Sequence, residues 1–126
     1  MFRNTKAFAG FSVDDIQKAR DFYGSTLDIK ISEEEEGTLS LNFAGGSKAL
    51  IYPKPDHSPA TFTVLNFPVN DIEEAVNKLT EKGIKFEQYD EPIKTDAKGI
   101  FRGGGPLIAW FKDPAGNVLS ILEVKQ

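Results

Sequence analysis

Few side chains in this sequence can do chemistry. The 126-residue chain has one histidine, His57, and no cysteine, so disulfides, thiol nucleophiles and a multi-histidine metal site within one chain are excluded. His57 lies in the proline-rich connector 53–59. It is interpreted as an exposed linker residue, because geometry is poorly fixed in such a segment; a ligand or a proton carrier is the alternative. No Ser-His-Asp arrangement, cysteine nucleophile or convincing carboxylate pair points to hydrolysis.

Charged residues offer two further candidates. The acids Glu33 to Glu36 could hold a cation, but a solvated edge strand and turn is favoured, because consecutive strand residues point to opposite faces. Arg102 could pair with an anionic ligand, or it is an ordinary surface arginine. It precedes three glycines, Gly103 to Gly105, which lack the Lys-Ser/Thr and the helix of a phosphate-binding loop. A flexible lid hinge is the favoured interpretation of these glycines.

Composition and charge exclude several classes of protein. The net charge is −4 and no basic patch is clustered, which argues against a nucleic-acid partner. No apolar run is long enough to span a membrane, and residues 1–6 lack the apolar segment of a secretory signal. Together with the absence of cysteine, these features predict a cytoplasmic protein.

The elements that must position these residues occur as two copies of one unit. The first copy has a strand at Ala7–Val13 and a helix that we expect to begin after a cap at Asp14 and to stop at Gly24. The second has a strand at Thr61–Val69 and a helix with an expected cap at Asn70. A constant offset of 56 residues relates Phe11 to Phe67, Val13 to Val69, Asp15 to Asp71, Ile16 to Ile72, and Ala19 to Ala75. This constancy indicates duplication of a supersecondary module.

Three more strands are expected to complete each copy. In the first copy they are Ile29–Glu33, Thr38–Phe43 and Lys48–Tyr52; in the second they are Ile84–Tyr89, Leu107–Phe111 and Val118–Leu122, after an irregular insertion at Glu91–Gly105. The last two strands flank Asp113-Pro114-Ala115-Gly116, which fits a type I turn. We therefore predict one domain over 1–126, with module 1 at about 5–53, a linker at 53–59 and module 2 at about 60–124.

Three motifs give this chain a family resemblance. V-D-D-I-x-K-A-x-x-F-Y lies early, V-N-D-I-E-E-A in the middle and F-K-D-P-A-G-N near the end. With them the chain resembles the vicinal oxygen chelate superfamily, the group of glyoxalases, bleomycin-resistance proteins and extradiol dioxygenases. The resemblance implies an α+β fold of paired βαβββ modules, whose mixed curved sheets form a cup with the helices outside. One departure is Leu27-Asp28 where the family usually has Leu-Gly, and Asp tolerates the left-handed conformation that Gly supplies there.

The resemblance also implies where a metal ion would bind. Metal enzymes of the family hold one divalent ion with His, Gln or Glu on the first and last strands of each module. The corresponding positions here are Phe8, Val64, Ser120 and one within Ala49–Tyr52. None of these residues is a histidine or a carboxylate, so no metal cofactor is expected.

An apolar cup with few polar groups then remains, which is typical of a small-molecule site. The candidate ligand-binding residues are Phe8, Tyr52, Phe62, Val64, Arg102, Trp110 and Ser120. We expect a metal-free protein that binds a hydrophobic or aromatic ligand, stacked on Trp110 and Tyr52 and oriented by Ser120. The alternatives are a lyase, isomerase or dioxygenase relative with unrecognised metal ligands or no metal, and a cup filled by its own side chains. Dimerisation is common in the family, and a homodimer is expected.

Overall fold

The computed structural model describes residues 1–125 and divides the chain into two compact units, residues 1–59 and the residues from 60 onward. Each unit has one strand, one helical segment and three further strands, which confirms the predicted α+β class. The elements are β1 (Ala9–Val13), α1 (Ile16–Arg20), β2 (Lys30–Glu33), β3 (Leu39–Asn42) and β4 (Lys48–Pro53), then β5 (Thr63–Val69), α2 (Ile72–Glu81), β6 (Ile100–Phe101), β7 (Ile108–Lys112) and β8 (Val118–Glu123). Within residues 1–125, no helix has the length and hydropathy needed to cross a membrane.

The two sheets share one topology. Their strand orders are β1-β4-β3-β2 and β5-β8-β7-β6, and in each the first strand is parallel to the last while the other pairs are antiparallel. A parallel pair needs a long crossover, and the helix and the intervening strands of each unit supply it. The duplicated pattern of the sequence therefore corresponds to a repeated strand arrangement.

Each helix starts at an aspartate one residue later than the sequence suggested. Asp15 and Asp71 are the N-caps, with nearly the same backbone conformation (φ −133° and ψ 105°; φ −134° and ψ 104°). Asp15 accepts the backbone N–H groups of Gln17 and Lys18, and Asp71 accepts that of Glu74, all at 3.1 Å. The predicted caps, Asp14 and Asn70, were wrong, because a cap must immediately precede the first helical residue for its side chain to reach those groups.

The first helix ends differently from the prediction. Regular α-helix stops at Arg20, and a π-helical turn at Asp21–Thr26 passes through Gly24, so Gly24 is not the helix stop. A Cβ at Gly24 would lie 3.1 Å from Cδ1 of Ile31, a tight contact that Ile31 would have to shift to accommodate. Asp28 then adopts the left-handed conformation predicted for it, with φ 56°.

The predicted strand at Ile84–Tyr89 was wrong, because the segment forms no regular strand. The Glu87 N–H donates to the Trp110 carbonyl at 2.8 Å, and ring contacts with Phe111 and Trp110 also join the segment to β7. The short strand β6, inside the predicted irregular insertion, pairs with the same edge of β7 at Ile108 and Ala109. Because two segments share that edge, neither forms a long strand. The other strand limits differ from the predicted ones by one or two residues.

The turn between β7 and β8 is built on a buried aspartate. Asp113 is 5% exposed, and its Oδ1 accepts the backbone N–H groups of Ala115 and Asn117 at 2.9 Å each. The Gly116 N–H donates to the Asp113 carbonyl at 3.0 Å, which closes the predicted β-turn, and Gly116 takes a φ of 87° that favours glycine. This turn fixes the register that places Trp110 opposite Ser120.

Candidate functional site

Each sheet has a face that packs on its own helix and a face turned away from it, here called the far face. In the second unit the helix face is identified by two side chains that contact α2: Glu123 accepts the Ile72 N–H at 3.1 Å, and Arg102 pairs with Glu73. Successive strand residues alternate between faces. Asn66, Ser120 and Trp110 therefore lie on the far face.

Three neighbouring strands of the second sheet contribute one residue each to a row across this far face. The register pairs Asn66 of β5 with Ser120 of β8, and Ser120 with Trp110 of β7. The Ser120 hydroxyl donates to Oδ1 of Asn66 at 2.5 Å, and Ser120 is fully buried whereas Asn66 is exposed. The buried hydroxyl is thus satisfied by an amide that itself reaches the surface.

Trp110 is half-buried within an aromatic cluster on the far face. The ring of Tyr89 stands edge-on to it at 5.5 Å between centroids, and the ring of Phe101 is tilted at 6.3 Å. Burial, and secondarily the negative charge of Glu87, raises the pKa of the Tyr89 phenol, so Tyr89 stays neutral at physiological pH. Neutral aromatic surface beside a polar pair is suited to binding a planar apolar molecule.

Asn66 belongs to this row and was not among the sequence-based candidates. A bulge in β5 lies between Thr63 and Leu65, whose partners on β8 are consecutive residues, so Val64 is the extra residue with no register partner. The bulge shifts the register by one residue, so Ser120 pairs with Asn66 rather than with Leu65. The sequence signal for Asn66 is its alternation with Phe67 and Val69, which places it on the opposite face of β5.

His57 is not the exposed linker residue that the sequence suggested. It is half-buried, and its Nδ1 lies 2.6 Å from the hydroxyl of Ser12, on β1. The connector turns back along β1 because the Lys54 N–H donates to the Val13 carbonyl at 2.9 Å. Backbone bonding beyond β4 therefore fixes a histidine that a proline-rich linker would leave mobile.

The far face of the first sheet is mainly polar. Ser12 pairs in register with Tyr52, which is 41% exposed. On the neighbouring strands, Asn42 accepts from the Ser40 hydroxyl at 2.9 Å and donates to the Ser32 hydroxyl at 3.1 Å. Ser40 is 2% exposed, so this network satisfies a buried hydroxyl.

The remaining candidates lie apart from the row that Trp110 and Ser120 form. Phe8 precedes β1, is 54% exposed and has the Lys48 ammonium 5.1 Å above its ring. Phe62 precedes β5 and is 68% exposed, and Val64 is half-buried in the bulge.

Arg102 is engaged by two carboxylates of its own unit. Its Nε donates to Asp96 and its Nη2 to Glu73, both at 2.9 Å. Partial burial of the Asp96 carboxyl alone would raise its pKa, but hydrogen bonds from the Ile100 N–H, Arg102 and the Lys98 N–H outweigh that effect and lower it. Arg102 therefore fastens the insertion to α2 in this structure.

The side chains at the family's metal positions offer few donor atoms for a metal ion. Ser120 pairs in register with Asn66, and the equivalent pair in the first sheet is Leu50 with Gly10, since Gly10 and Asn66 differ by 56 residues. Leu50 thus corresponds to Ser120, and it offers no donor atom. Phe8 and Val64 offer none either, and Ser120 offers one hydroxyl already bonded to Asn66. Divalent transition metals need imidazole, thiolate or carboxylate ligands, so this set does not fit them. In the described part of the chain, no three His, Cys, Asp or Glu residues are grouped to hold a metal ion.

Comparisons with known proteins agree with this architecture. The family model described as Glyoxalase/Bleomycin resistance protein/Dioxygenase superfamily matches residues 7–121. The chain is similar to a glyoxalase family protein from Enterococcus faecalis, at 24% identity with 98% of this chain and 100% of that chain covered and a TM-score of 0.68. It is also similar to TnmS3, an antibiotic binding protein from Streptomyces sp. CB03234, at 22% identity with 95% and 97% covered and a TM-score of 0.66.

A third similar structure is a glyoxalase/dioxygenase from Nostoc punctiforme, at 18% identity with 98% of this chain and 92% of that chain covered and a TM-score of 0.69. A search of curated protein sequences found no match. At these identities the solved structures establish the fold, whereas the family model spans nearly the whole chain. The chain therefore belongs to the glyoxalase/bleomycin resistance protein/dioxygenase superfamily.

Proposed function

We propose that this protein binds a small hydrophobic or aromatic molecule on the far face of its second sheet, without a catalytic metal ion. The observation that carries the proposal is the row of Asn66, Ser120 and Trp110, with aromatic surface at one end and an exposed amide at the other. Planar apolar surface supplies affinity, and a few polar groups supply orientation. The donor-poor side chains at the family's metal positions support the metal-free part of the proposal.

The comparisons give the proposal a second line of support. One similar structure is that of an antibiotic binding protein, so the fold is compatible with binding a small organic molecule. Its low sequence identity means that the ligand of this chain must be argued from its own side chains.

Binding can be tested through the only tryptophan of the chain, Trp110. Titration with planar aromatic compounds should shift the indole N–H signal of Trp110 in two-dimensional NMR spectra, and calorimetry should give the affinity. Trp110→Leu should abolish binding, whereas Phe2→Leu should not, because Phe2 is an exposed aromatic residue outside the sheets. Equal loss in both variants, or no shift at Trp110 with any planar compound, would overturn the proposed function.

The metal-free part has its own test. Elemental analysis of protein purified without chelator should find far less than one divalent ion per chain, and added Zn²⁺, Mn²⁺, Fe²⁺ or Ni²⁺ should leave the melting temperature unchanged. A stoichiometric bound ion would contradict it.

A second candidate function is a lyase, isomerase or dioxygenase relative that works without the family's usual metal ligands. The contact between the Ser12 hydroxyl and His57 Nδ1 favours it, because a histidine held by a hydrogen bond is suited to moving protons. Conversion of a bound compound that is lost in His57→Gln but kept in Trp110→Leu would favour this candidate over simple binding.

We also propose that the protein acts as a homodimer. Support comes from large apolar side chains that are exposed in the single chain, among them Phe8, Tyr52 and Phe62 at 54%, 41% and 68%. Symmetric pairing is the commonest way for a small protein to cover such surface. Light scattering on the eluting protein should give twice the chain mass of 13.9 kDa.

A further inference from the structure

We propose that Asn66 determines ligand specificity, by presenting an amide N–H donor that selects planar ligands carrying a hydrogen-bond acceptor, such as a carbonyl oxygen. This inference rests on the proposed function, since it names the class of ligand that the far face of the second sheet accepts. Asn66 is neither at a metal position of the family nor among the candidate ligand-binding residues predicted from sequence.

The orientation of the Asn66 amide follows from the burial of Ser120. Ser120 is fully buried, and among residues 1–125 the acceptor for its hydroxyl hydrogen is Oδ1 of Asn66, at 2.5 Å. If the amide were flipped, its NH₂ group would face the hydroxyl oxygen and the buried hydroxyl hydrogen would lose its acceptor. A buried donor without an acceptor is strongly disfavoured. Ser120 therefore holds Oδ1 inward and leaves Nδ2 outward.

The outward Nδ2 group is available to a ligand. Within residues 1–125 it has no hydrogen-bond partner, and Asn66 is exposed. Asn66 on β5 and Trp110 on β7 are separated by one intervening strand, β8. Two interstrand spacings amount to about 10 Å. A ligand of two fused rings that lies against Trp110 can therefore direct a ring substituent towards Nδ2.

The pair thus distinguishes acceptors from donors. A ligand carbonyl accepts from Nδ2, whereas a ligand that carries only a donor, or no polar group, leaves the amide without a partner. Ser120 prevents the amide flip that would turn Oδ1 towards the ligand. The site therefore always favours ligands with an acceptor over ligands with only a donor. Ser120 is a positioning residue here, since its buried hydroxyl acts through Asn66.

The test compares coumarin, a two-ring compound with a carbonyl acceptor, with naphthalene, which has the same fused-ring size and no polar group. Binding is followed by calorimetry and by the NMR signals of the Trp110 indole and the Asn66 side-chain amide. Wild-type protein should bind coumarin about tenfold more tightly than naphthalene, as expected for one well-oriented hydrogen bond.

The decisive variant is Asn66→Asp, which keeps an acceptor for Ser120 but replaces the outward donor with an oxygen. It should weaken coumarin binding about tenfold and leave naphthalene binding nearly unchanged. Asn77→Asp, at an exposed position on α2, makes the same change of charge and should alter neither affinity. Ser120→Ala should reduce the ratio of the two affinities to between the wild-type and Asn66→Asp values, because the amide is then free to turn.

The outcomes separate this inference from the proposed function. An affinity ratio that is unchanged in Asn66→Asp, with both compounds still shifting the Trp110 signal, overturns the role of Asn66 and leaves the proposed binding function intact. Failure of both compounds to bind wild-type protein overturns the binding function for two-ring ligands, and the role of Asn66 with it.

Discussion

The Ser120 hydroxyl donates to Oδ1 of Asn66 across the parallel pair β5 and β8, so a fully buried side chain sets the orientation of an exposed one. In the metal enzymes that this chain resembles, the position of Ser120 carries an ionisable ligand. In this chain the Ser120 hydroxyl instead makes a hydrogen bond to Asn66 on the neighbouring strand. The hydrogen bond between Ser120 and Asn66 can be tested by stability as well as by binding.

Ser120→Ala should lower the free energy of unfolding by about 1 kcal/mol, because one hydrogen bond is lost while the exposed Asn66 amide can bind water instead. Urea unfolding followed by circular dichroism gives the value. Ser58→Ala, at an exposed position outside the strands and helices, is the matched control and should be nearly neutral. A loss of several kcal/mol at Ser120 would show that the hydroxyl has a larger packing role than this.

Asp71→Ala should destabilise the protein by about 1 kcal/mol, because the side chain of Asp71 caps α2. Asn70→Ala changes the neighbouring exposed residue, to which the cap was wrongly assigned by sequence, and should have little effect. Both variants truncate the side chain to alanine, but only Asp71→Ala also removes a charge at the helix N-terminus, so their urea midpoints are compared at high ionic strength, which screens the charge effect. Equal destabilisation would mean that both side chains contribute to capping the N-terminus of α2.

Asp113→Ala should cost about 2–4 kcal/mol, since it leaves buried donors of the hairpin turn without an acceptor. Asp113→Asn keeps an oxygen for the N–H groups of Ala115 and Asn117 and should cost distinctly less. Thermal unfolding of both variants provides the comparison. If Asp113→Asn were as destabilising as Asp113→Ala, the negative charge rather than the hydrogen bonds would be the important property.

Acid should weaken the attachment of the insertion to α2. Hydrogen bonds to Asp96 lower its pKa below the ordinary value of 3.8, so the folded state favours the ionised form. The resulting stabilisation is fully present above the unfolded pKa and is lost as pH falls through the lower, folded pKa. Asp96→Asn should lack this pH dependence, and Arg102→Gln should reduce it, in melting temperatures measured at decreasing pH below neutrality. Parallel curves for wild type and Asp96→Asn would contradict the assignment.

High pH should destabilise the protein through Tyr89, in the aromatic cluster, just as low pH destabilises it through Asp96. The pKa of Tyr89 is raised above 10.0 by burial and by Glu87, so its neutral form is favoured in the folded state. That contribution is fully present below the unfolded pKa and is lost as pH rises through the higher, folded pKa. Tyr89→Phe should therefore retain more of its neutral-pH stability in strongly alkaline solution than wild type does. If wild type and Tyr89→Phe lost the same stability in alkaline solution, groups other than Tyr89 would control the decrease at high pH.

The sequence predicted the elements of the fold because their patterns are local. Alternation in Phe11 and Val13, the turn at Asp113 and the left-handed Asp28 each depend on a few neighbouring residues. The predicted strand at 84–89 failed because two segments compete for the same edge of β7. Such competition depends on both segments together, so it cannot be recognised in the local sequence of either one.

The site was predictable in part for the same reason. Trp110 and Ser120 were among the sequence-based candidates because they lie in the recognisable hairpin, and the register places them side by side. Asn66 and the contact of Ser12 with His57 were missed because both depend on pairings across 54 and 45 residues. The bulge at Val64 decides which residue meets Ser120, and a bulge is a property of two strands together.

The repeated topology of the two sheets has a consequence for how the protein can change. The same strand order and the same capped helix start support a hydroxyl-rich face in one copy and an aromatic face in the other. The same strand order thus carries different types of side chain on the far faces of the two sheets. Substitutions at exposed positions of the far face of the second sheet, such as Asn66, can therefore change its chemistry without altering the strand order.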